Sequence, residues 1–311
     1  MAKIGFISLG CAKNQVNCEQ MMYRLQEAGH EILPDVNGAD VVIINTCGFI
    51  DSAKSEAIDH IIAMGQLKQA GAVGKILVTG CLSQRYQREI LEEMPEVDGL
   101  LGTGSYDEIV PAVNALLAGD SVCCFGDIHA AEKESGRVLT TPPHYAYLKI
   151  AEGCDNCCAY CIIPCLRGRY RSRPMNELLD EASELASSGV KELIVIAQDI
   201  TRYGTDLNGE HQLAALLREL CKLDFHWIRL HYLYPDDITD ELIDTIAGER
   251  KIVPYLDIPI QHCNDGILKA MNRRDTKESI RKVFRDLRER IPGLVLRTSI
   301  IAGLPGEGEK E

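Results

Sequence analysis

A short cysteine-rich segment constrains this chain more than any other feature. It reads Gly153-Cys-Asp-Asn-Cys-Cys-Ala-Tyr-Cys, follows a predicted strand, and spaces Cys154, Cys158 and Cys161 as C-x3-C-x2-C. Three thiolates at these intervals can wrap one face of a cubane iron–sulfur cluster and supply three of the four ligands that a fully protein-bound cluster takes. These three cysteines, the loop triad, therefore predict a cluster with one iron open to a substrate or cofactor.

Two other interpretations of the segment remain open. Cys154 with Cys157, and Cys158 with Cys161, could form two C-x2-C knuckles for zinc. Zinc ribbons usually separate their knuckles by more than about ten residues, so that two loops approach the ion from opposite sides, whereas these knuckles abut. The remaining interpretation is that the thiols are inert.

A second set of three cysteines shares a setting although its members lie far apart in sequence. Cys11, Cys47 and Cys81 each follow a predicted β run and have a glycine next to them. In a parallel sheet, all three thiols emerge at the carboxyl edge, where open α/β sheets bind ligands. Cysteine is also common in buried strands, which is the plainer explanation. We predict a second three-thiolate cluster site and call these residues the sheet triad.

The other cysteines show no shared placement, and packing or surface thiols explain them best. They are Cys18, Cys123, Cys124, Cys157, Cys165, Cys221 and Cys263. Of these, Cys157 and Cys165 could still act as ligands. The eight histidines are scattered singly, and a structural role is expected for each.

Composition limits the class of protein. Of 311 residues, 46% are hydrophobic and 25% charged, which favours a folded chain over a disordered one. No apolar run approaches the roughly 20 residues of a membrane span, and no secretory signal is visible, so we expect a cytoplasmic protein without membrane contact. Thiols stay reduced there, so 13 cysteines indicate metal binding or catalysis rather than disulfides. A net charge of −13 argues against binding nucleic acid through the overall field.

The order of predicted strands and helices divides the chain into two α/β domains. Residues 1–138 alternate short β runs with amphipathic helices, including 19–28 and 84–93, as in an open domain built on a parallel sheet. A Pro-Pro pair marks a linker at 139–143. Residues 144–311 repeat β-then-α units, which predicts a (β/α) barrel or part of one.

The two triads together resemble those of the methylthiotransferases of the radical S-adenosylmethionine superfamily. The similarity covers essentially the whole chain. The loop triad matches the superfamily's cluster motif, and the sheet triad matches the cysteines of the methylthiotransferase domain that precedes it. Within the group, Ser8-Leu-Gly-Cys-Ala-Lys-Asn, Asn45-Thr-Cys-Gly-Phe-Ile-Asp-Ser-Ala and Tyr232-Leu-Tyr-Pro-Asp resemble the RimO branch, which modifies an aspartate of small-subunit ribosomal protein twelve. The tRNA-modifying MiaB branch differs after its first two cysteines.

The resemblance implies a methylthiotransferase domain at 1–138, a radical-SAM domain at 144–311, and two [4Fe-4S] clusters. A cluster on the loop triad would cleave S-adenosylmethionine to a 5′-deoxyadenosyl radical, which takes hydrogen from the aspartate β-carbon. A cluster on the sheet triad would hold the sulfur that a second S-adenosylmethionine methylates. The implied partners are the ribosomal protein and an electron donor such as flavodoxin or ferredoxin. Methylthiolation of a tRNA adenosine is the nearest alternative, against which the acidic composition counts, and a non-catalytic iron–sulfur or zinc scaffold is the other.

Further residues match the family near its S-adenosylmethionine site. They are Gln198, Asp199, Gly303, Gly306 and Glu307, although a plain turn would also explain the glycines. The basic stretch Arg167, Arg169, Arg171 and Arg173 is either a solvated face or a contact to the ribosome or a phosphate.

The chain departs from the family near its end. Gly308 stands where the family has a threonine, and the printed sequence stops at Glu311, before the last barrel strand and the small TRAM β-barrel domain. We expect an open partial barrel with an exposed strand edge that invites association. The substrate affinity of this chain is then expected to suffer.

Overall fold

The computed structural model describes residues 1–131, 133 and 135–311, and the contacts among them divide the chain into two compact units. The first contains Met1–Thr140 and Ile162–Arg169, and the second contains Thr141–Cys161 and Tyr170–Glu311. The sequence division had placed residues 162–169 with the second domain. They group with the first because Leu166 and Arg167 form hydrogen bonds to its residues. The domain bounds themselves remain a prediction.

Strands and helices alternate along the first unit. Its strands are β1 (Lys3–Ser8), β2 (Glu31–Ile32), β3 (Val41–Thr46), β4 (Lys75–Gly80), β5 (Gly99–Leu101) and β6 (Val122–Cys124). Its helices are α1 (Ala12–Glu27), α2 (Asp51–Gln69), α3 (Cys81–Tyr86), α4 (Arg88–Glu93), α5 (Ile109–Ala118) and α6 (Ile163–Arg167), with a 3-10 turn at Tyr106–Glu108.

The six strands form one parallel sheet in the order β2-β1-β3-β4-β5-β6. The chain runs outward from β1 in both directions, so the strand order reverses between β1 and β3. Ligands of doubly wound sheets bind at the carboxyl edge at such a reversal. The predicted open parallel α/β domain is confirmed, and its expected binding edge lies where the sheet triad follows the strands.

Both faces of this sheet are buried. In β3 every residue is buried, with Val41 and Ile43 in one hydrophobic core and Val42 and Ile44 in the other. Such a continuous apolar run is expected of a parallel strand that helices cover on both sides. The two cores therefore hold the strand ends in fixed positions.

The second unit repeats β-then-α units. Its strands are β7 (Tyr145–Lys149), β8 (Ala151–Glu152), β9 (Arg171–Ser172), β10 (Glu192–Ile196), β11 (Trp227–Leu230), β12 (Ile252–Asp257) and β13 (Val295–Arg297). Its helices are α7 (Met175–Ser187), α8 (Thr205–Asn208), α9 (Leu213–Leu220), α10 (Asp240–Gly248), α11 (Asp265–Ala270) and α12 (Lys277–Arg290), with a 3-10 turn at Pro235–Asp237.

Five of these strands form a parallel sheet in the order β7-β10-β11-β12-β13. Each strand lies next to the one that precedes it in this sheet, without a reversal, which is the arrangement of (β/α) barrels. The predicted partial barrel is confirmed. The short strands β8 and β9 pair antiparallel. The two ends of the segment between them, residues 153–170, therefore lie next to each other.

The helices differ from prediction at two points. The predicted helix 84–93 is two helices, because Gln87 has a φ of +47° that no continuous helix allows. The first helix begins at Ala12 rather than at residue 19, directly after Cys11. Among the residues described, no helix is both long and apolar enough to cross a bilayer.

Leu100 offers a test of the first core, since its side chain in β5 is fully buried. We expect Leu100→Ala to lower the free energy of unfolding by about 2–5 kcal/mol, through lost burial and the cavity left behind. Leu117 on α5 is 42% exposed, and Leu117→Ala should cost within about 0.5 kcal/mol. Hydrogen exchange of the β4 amides measures both. Equal losses in the two variants would contradict this packing.

Candidate functional site

The sheet triad lies at the carboxyl ends of three adjacent strands. Cys11 lies after β1 and directly before α1, Cys47 follows β3 directly, and Cys81 is the first residue of α3 after β4. The order β1-β3-β4 makes these strands neighbours. The three cysteines that follow β runs in the sequence therefore lie at the same edge of the sheet.

The thiols of the sheet triad interact electrostatically. Burial raises the pKa of Cys47, and the charges of Cys81 and Cys11 raise it further, against a backbone hydrogen bond from Phe49. Burial also opposes ionisation of Cys11, yet its pKa is lowered because Lys13 and Arg167 stand nearby. The three sulfurs therefore lie within electrostatic range of one another, next to positive charge.

Glycines make room for the close approach of the three loops. A Cβ atom on Gly48 would stand 2.9 Å from the backbone nitrogen of Leu82, and one on Gly80 would stand 2.5 Å from the Thr46 carbonyl oxygen. At Gly10, where φ is +93°, a Cβ would lie 2.7 Å from the Cβ of Cys47. Real Cβ atoms do not approach other atoms this closely, so glycine at these positions allows the three loops to come together.

Asn14 connects the three loops. Its buried Nδ2 donates to the carbonyl oxygens of Leu9 at 3.1 Å and Thr46 at 3.0 Å. Its Oδ1 accepts from the Cys81 thiol at 3.9 Å. Its own carbonyl oxygen accepts from Asn45 Nδ2 at 2.7 Å. One side chain therefore fixes the chain beside each member of the sheet triad. Asn14 is the last residue of the branch motif Ser8-Leu-Gly-Cys-Ala-Lys-Asn, but the motif by itself assigned it no role.

The basic stretch does not form a single solvated face. Arg167 is only 3% exposed, and its Nε donates to Cys81 Sγ at 3.4 Å. Arg173 is also buried, where it bonds the Lys149 carbonyl oxygen and pairs with Glu181 at 2.7 Å. Arg169 is exposed. The expectation of one solvated or ribosome-facing surface is therefore wrong for Arg167 and Arg173, because both serve internal contacts.

The loop triad lies in the second unit, on the loop after β8. Burial raises the pKa of Cys154 to about 12, and the charges of Asp199, Cys161 and Cys158 act in the same direction, against a backbone hydrogen bond from Asn156. These three thiols, like the sheet triad, thus lie within electrostatic range of one another. A deprotonated Cys154 needs positive charge beside it, which a bound metal supplies.

The loop is held by the residues that follow β10. Asn156 Nδ2 donates to Asp199 Oδ2 at 2.9 Å, and the Asp199 side chain is fully buried. Gln198 Nε2 donates to Glu152 Oε1 at 2.7 Å, and Glu152 pairs with buried Lys149 at 3.1 Å. The structure therefore shows Asp199 bonded to the loop that carries the loop triad, and Gln198 bonded to β8, the strand before that loop. Direct contact with S-adenosylmethionine remains a prediction for both.

An aromatic side chain adjoins the loop triad. The Tyr234 hydroxyl lies 2.6 Å from Cys158 Sγ, and the Arg273 guanidinium stacks 4.1 Å from the centre of the Tyr234 ring. Arg273 pairs with Asp275 at 2.8 Å. Sequence analysis quoted Tyr234 only within a branch motif. Its position after β11, at the same sheet edge as Asp199 after β10, is the signal that would have found it.

The last predicted residues form a turn. Gly303 and Gly306 have φ of +83° and +93°, which favours glycine. The Glu307 carboxylate accepts from the backbone nitrogens of Gly303 at 2.7 Å and Leu304 at 2.9 Å, and lies 3.4 Å from His262 Nε2. The plain explanation as a turn accounts for this geometry, and a cofactor role remains a prediction.

The other cysteines are dispersed between buried and exposed positions. Cys157 and Cys165 are both exposed, unlike buried Cys158. Within residues 1–131, 133 and 135–311, no three His, Cys, Asp or Glu side chains converge on a point as a single metal ion requires. In a cubane cluster each cysteine binds a different iron, so its ligands stand further apart than ligands of one ion.

Each half of the chain contains a segment that matches a known family. Residues 3–102 match the Uncharacterized protein family UPF0004, and residues 148–311 match the Radical SAM superfamily. Solved structures agree on the fold. TsrM, a radical S-adenosylmethionine methyltransferase from Kitasatospora setae, aligns with all of this chain and 69% of its own at a TM-score of 0.73 and 15% identity. The cobalamin-dependent radical enzyme OxsB aligns with 97% of this chain and 49% of its own at 0.70 and 13%.

Curated relatives are far more similar in sequence. Proteins named ribosomal protein uS12 methylthiotransferase RimO are 51% identical over 310 residues in Syntrophomonas wolfei and 51% over 313 in Caldanaerobacter subterraneus. The alignments cover 99% and 100% of this chain and 71% of each relative. The resemblance read from the two triads is thus confirmed, and the chain belongs to the RimO family of radical-SAM methylthiotransferases.

Proposed function

We propose that this chain transfers a methylthio group to the β-carbon of an aspartate in ribosomal protein uS12. The observation that carries the proposal is the pair of cysteine triads: the sheet triad lies at the carboxyl ends of three parallel strands, and the loop triad shares the loop after β8. The relatives named for uS12 support the choice of a ribosomal protein as substrate. The cytoplasm fits the reaction, because its reducing conditions keep ligand thiols free.

The residues present fit two [4Fe-4S] clusters. Each site offers three cysteine sulfurs, the donor that such clusters take, and leaves one iron position open. Around the sheet triad the glycines leave backbone room that a Cβ would fill. We therefore assign Cys11, Cys47 and Cys81 to one cluster and Cys154, Cys158 and Cys161 to the other.

The clusters, when bound, supply one-electron reduction of S-adenosylmethionine and a place to hold sulfur. The protein's own residues position these groups. Asn156 and Asp199 fix the loop that carries Cys154, and the Tyr234 hydroxyl bonds the Cys158 sulfur. Hydrogen bonds to cluster sulfurs tune reduction potential. Gln198, Asp199, Gly303, Gly306 and Glu307 are our candidates for the S-adenosylmethionine vicinity, and a flavodoxin or ferredoxin is the class of electron donor that we propose.

Replacing one triad should remove one cluster and leave the other. One variant has all three cysteines of the sheet triad changed to Ala, and the other has all three of the loop triad changed to Ala. We expect each variant to bind about four iron atoms per chain after anaerobic reconstitution, instead of about eight. Iron and sulfide analysis measures this. Cys123→Ala, at an exposed position on β6, should keep both clusters. Either triple variant retaining all its iron would refute the assignment.

Gly48 provides a test of the glycine-lined room at the sheet triad. Its added Cβ would press on the backbone of Leu82 and Cys81, so Gly48→Ala should separate Cys47 from Cys81. We expect loss of most of the iron at the sheet triad and no loss at the loop triad, measured by iron analysis and electron paramagnetic resonance. Gly248→Ala is the matched control, because a Cβ there meets nothing within 4 Å. Full iron content in Gly48→Ala would show that the loops accommodate the added Cβ atom, and it would contradict this prediction.

The substrate is tested by competition. The reconstituted chain is given S-adenosylmethionine, reductant, and an equal mixture of a uS12 loop peptide and a tRNA anticodon stem-loop. We expect mass spectrometry to show one methylthio group in place of hydrogen on the peptide aspartate, and none on a peptide with alanine there. Modification of the RNA instead would assign the chain to tRNA. Iron bound without cleavage of S-adenosylmethionine would indicate a scaffold.

A further inference from the structure

A buried guanidinium lies in the site of the sheet triad. Arg167, on α6, has 3% of its surface exposed, and it belongs to the first unit. Burying a charge costs free energy unless hydrogen bonds or an opposite charge compensate it. The position therefore calls for a compensating partner.

Three hydrogen bonds orient the guanidinium of Arg167 toward the sheet triad and its neighbours. Its Nε donates to Cys81 Sγ at 3.4 Å, its Nη1 donates to Asn17 Oδ1 at 2.9 Å, and its Nη2 donates to Asn14 Oδ1. Its carbon lies 5.8 Å from the centre of the Tyr106 ring. The fork geometry of arginine fixes the direction of each bond.

Asn14 joins this arrangement to the rest of the triad. The same oxygen accepts from Arg167 and from the Cys81 thiol, while the amide nitrogen of Asn14 binds the ends of β1 and β3. Arg167 also lies within electrostatic range of Cys11 and Cys47. Arg167 therefore bonds Cys81 directly and acts on Cys11 and Cys47 through its charge.

We propose that Arg167 is a positioning residue for the cluster on the sheet triad, holding the Cys81 sulfur by an N–H···S hydrogen bond and balancing the negative charge of the three ligand thiolates. The inference rests on the proposed function, since it requires that cluster. A cluster bound here places three ligand thiolates at a mostly buried edge. The guanidinium of Arg167 then lies beside negative charge, and this attraction favours the loaded site.

The charge of Arg167 has a measurable consequence. Adding an electron makes the cluster and its thiolates more negative, and a nearby positive charge stabilises that reduced state. Hydrogen bonds to the sulfurs act in the same direction, which is why both tune the potentials of iron–sulfur proteins. Removing Arg167 should therefore make the cluster harder to reduce.

The experiment uses the full chain with Cys154, Cys158 and Cys161 replaced by alanine, so that only the sheet triad binds iron. In this background Arg167→Met removes charge and donors but keeps a long side chain, and Arg167→Lys keeps the charge. Redox titration followed by electron paramagnetic resonance measures the potential. We expect Arg167→Met to lower the one-electron reduction constant at least tenfold, about 59 mV, and Arg167→Lys to recover part of it. Arg169→Met, at an exposed neighbour, should leave the potential unchanged.

The outcomes separate this inference from the proposed function. An unchanged potential in a loaded Arg167→Met chain overturns the inference alone, whereas a parent chain that binds no iron overturns both. If Arg167→Met loses its iron while the apo chain keeps its melting temperature and Arg167→Lys keeps its iron, the charge holds the cluster, as proposed. If both variants lose iron and melt at lower temperature, Arg167 is a folding residue and the proposal fails.

Discussion

The hydrogen bonds of Asn14 tie the ends of β1 and β3 to the thiol that follows β4, and the geometry of the sheet triad depends on them. They work because the three strands are parallel neighbours whose buried faces fix their ends. Gly48 and Gly80 let the connecting loops approach within backbone contact. Three thiols are thus held at one edge before any metal binds, which reduces the conformational entropy that a cluster must overcome.

The loop triad is organised by different means. Its cysteines share one loop, so sequence spacing brings them together, and the surrounding strand ends hold the loop in place. Asp199 after β10 accepts a hydrogen bond from Asn156 of the loop, and the hydroxyl of Tyr234 after β11 bonds the sulfur of Cys158. Strain accompanies this edge, since Tyr232 and Gln261 have φ of +71° and +67°. Such strain concentrates at functional sites, where the surrounding structure maintains it.

Much of the architecture was predictable from the sequence. The alternation of short β runs with helices indicated a parallel sheet, and the place of Cys11, Cys47 and Cys81 after such runs indicated thiols at one edge; the structure has that arrangement. The break at Gln87 was not predictable, because its helical pattern continues through the break. Nor was the burial of Arg167 and Arg173, since a run of arginines in sequence is the usual mark of an exposed surface.

The sequence by itself determined the class of both domains, the family, and the six cysteines that we propose as cluster ligands, because cysteine spacing and strand periodicity are local properties. Only the tertiary structure decided which side chains surround those cysteines. Arg167 and Asn14 lie 153 residues apart in sequence and share a buried hydrogen bond that no local pattern encodes. Their pairing follows from the free-energy cost of burying a charge, which is met only where the folded chain brings its partners together.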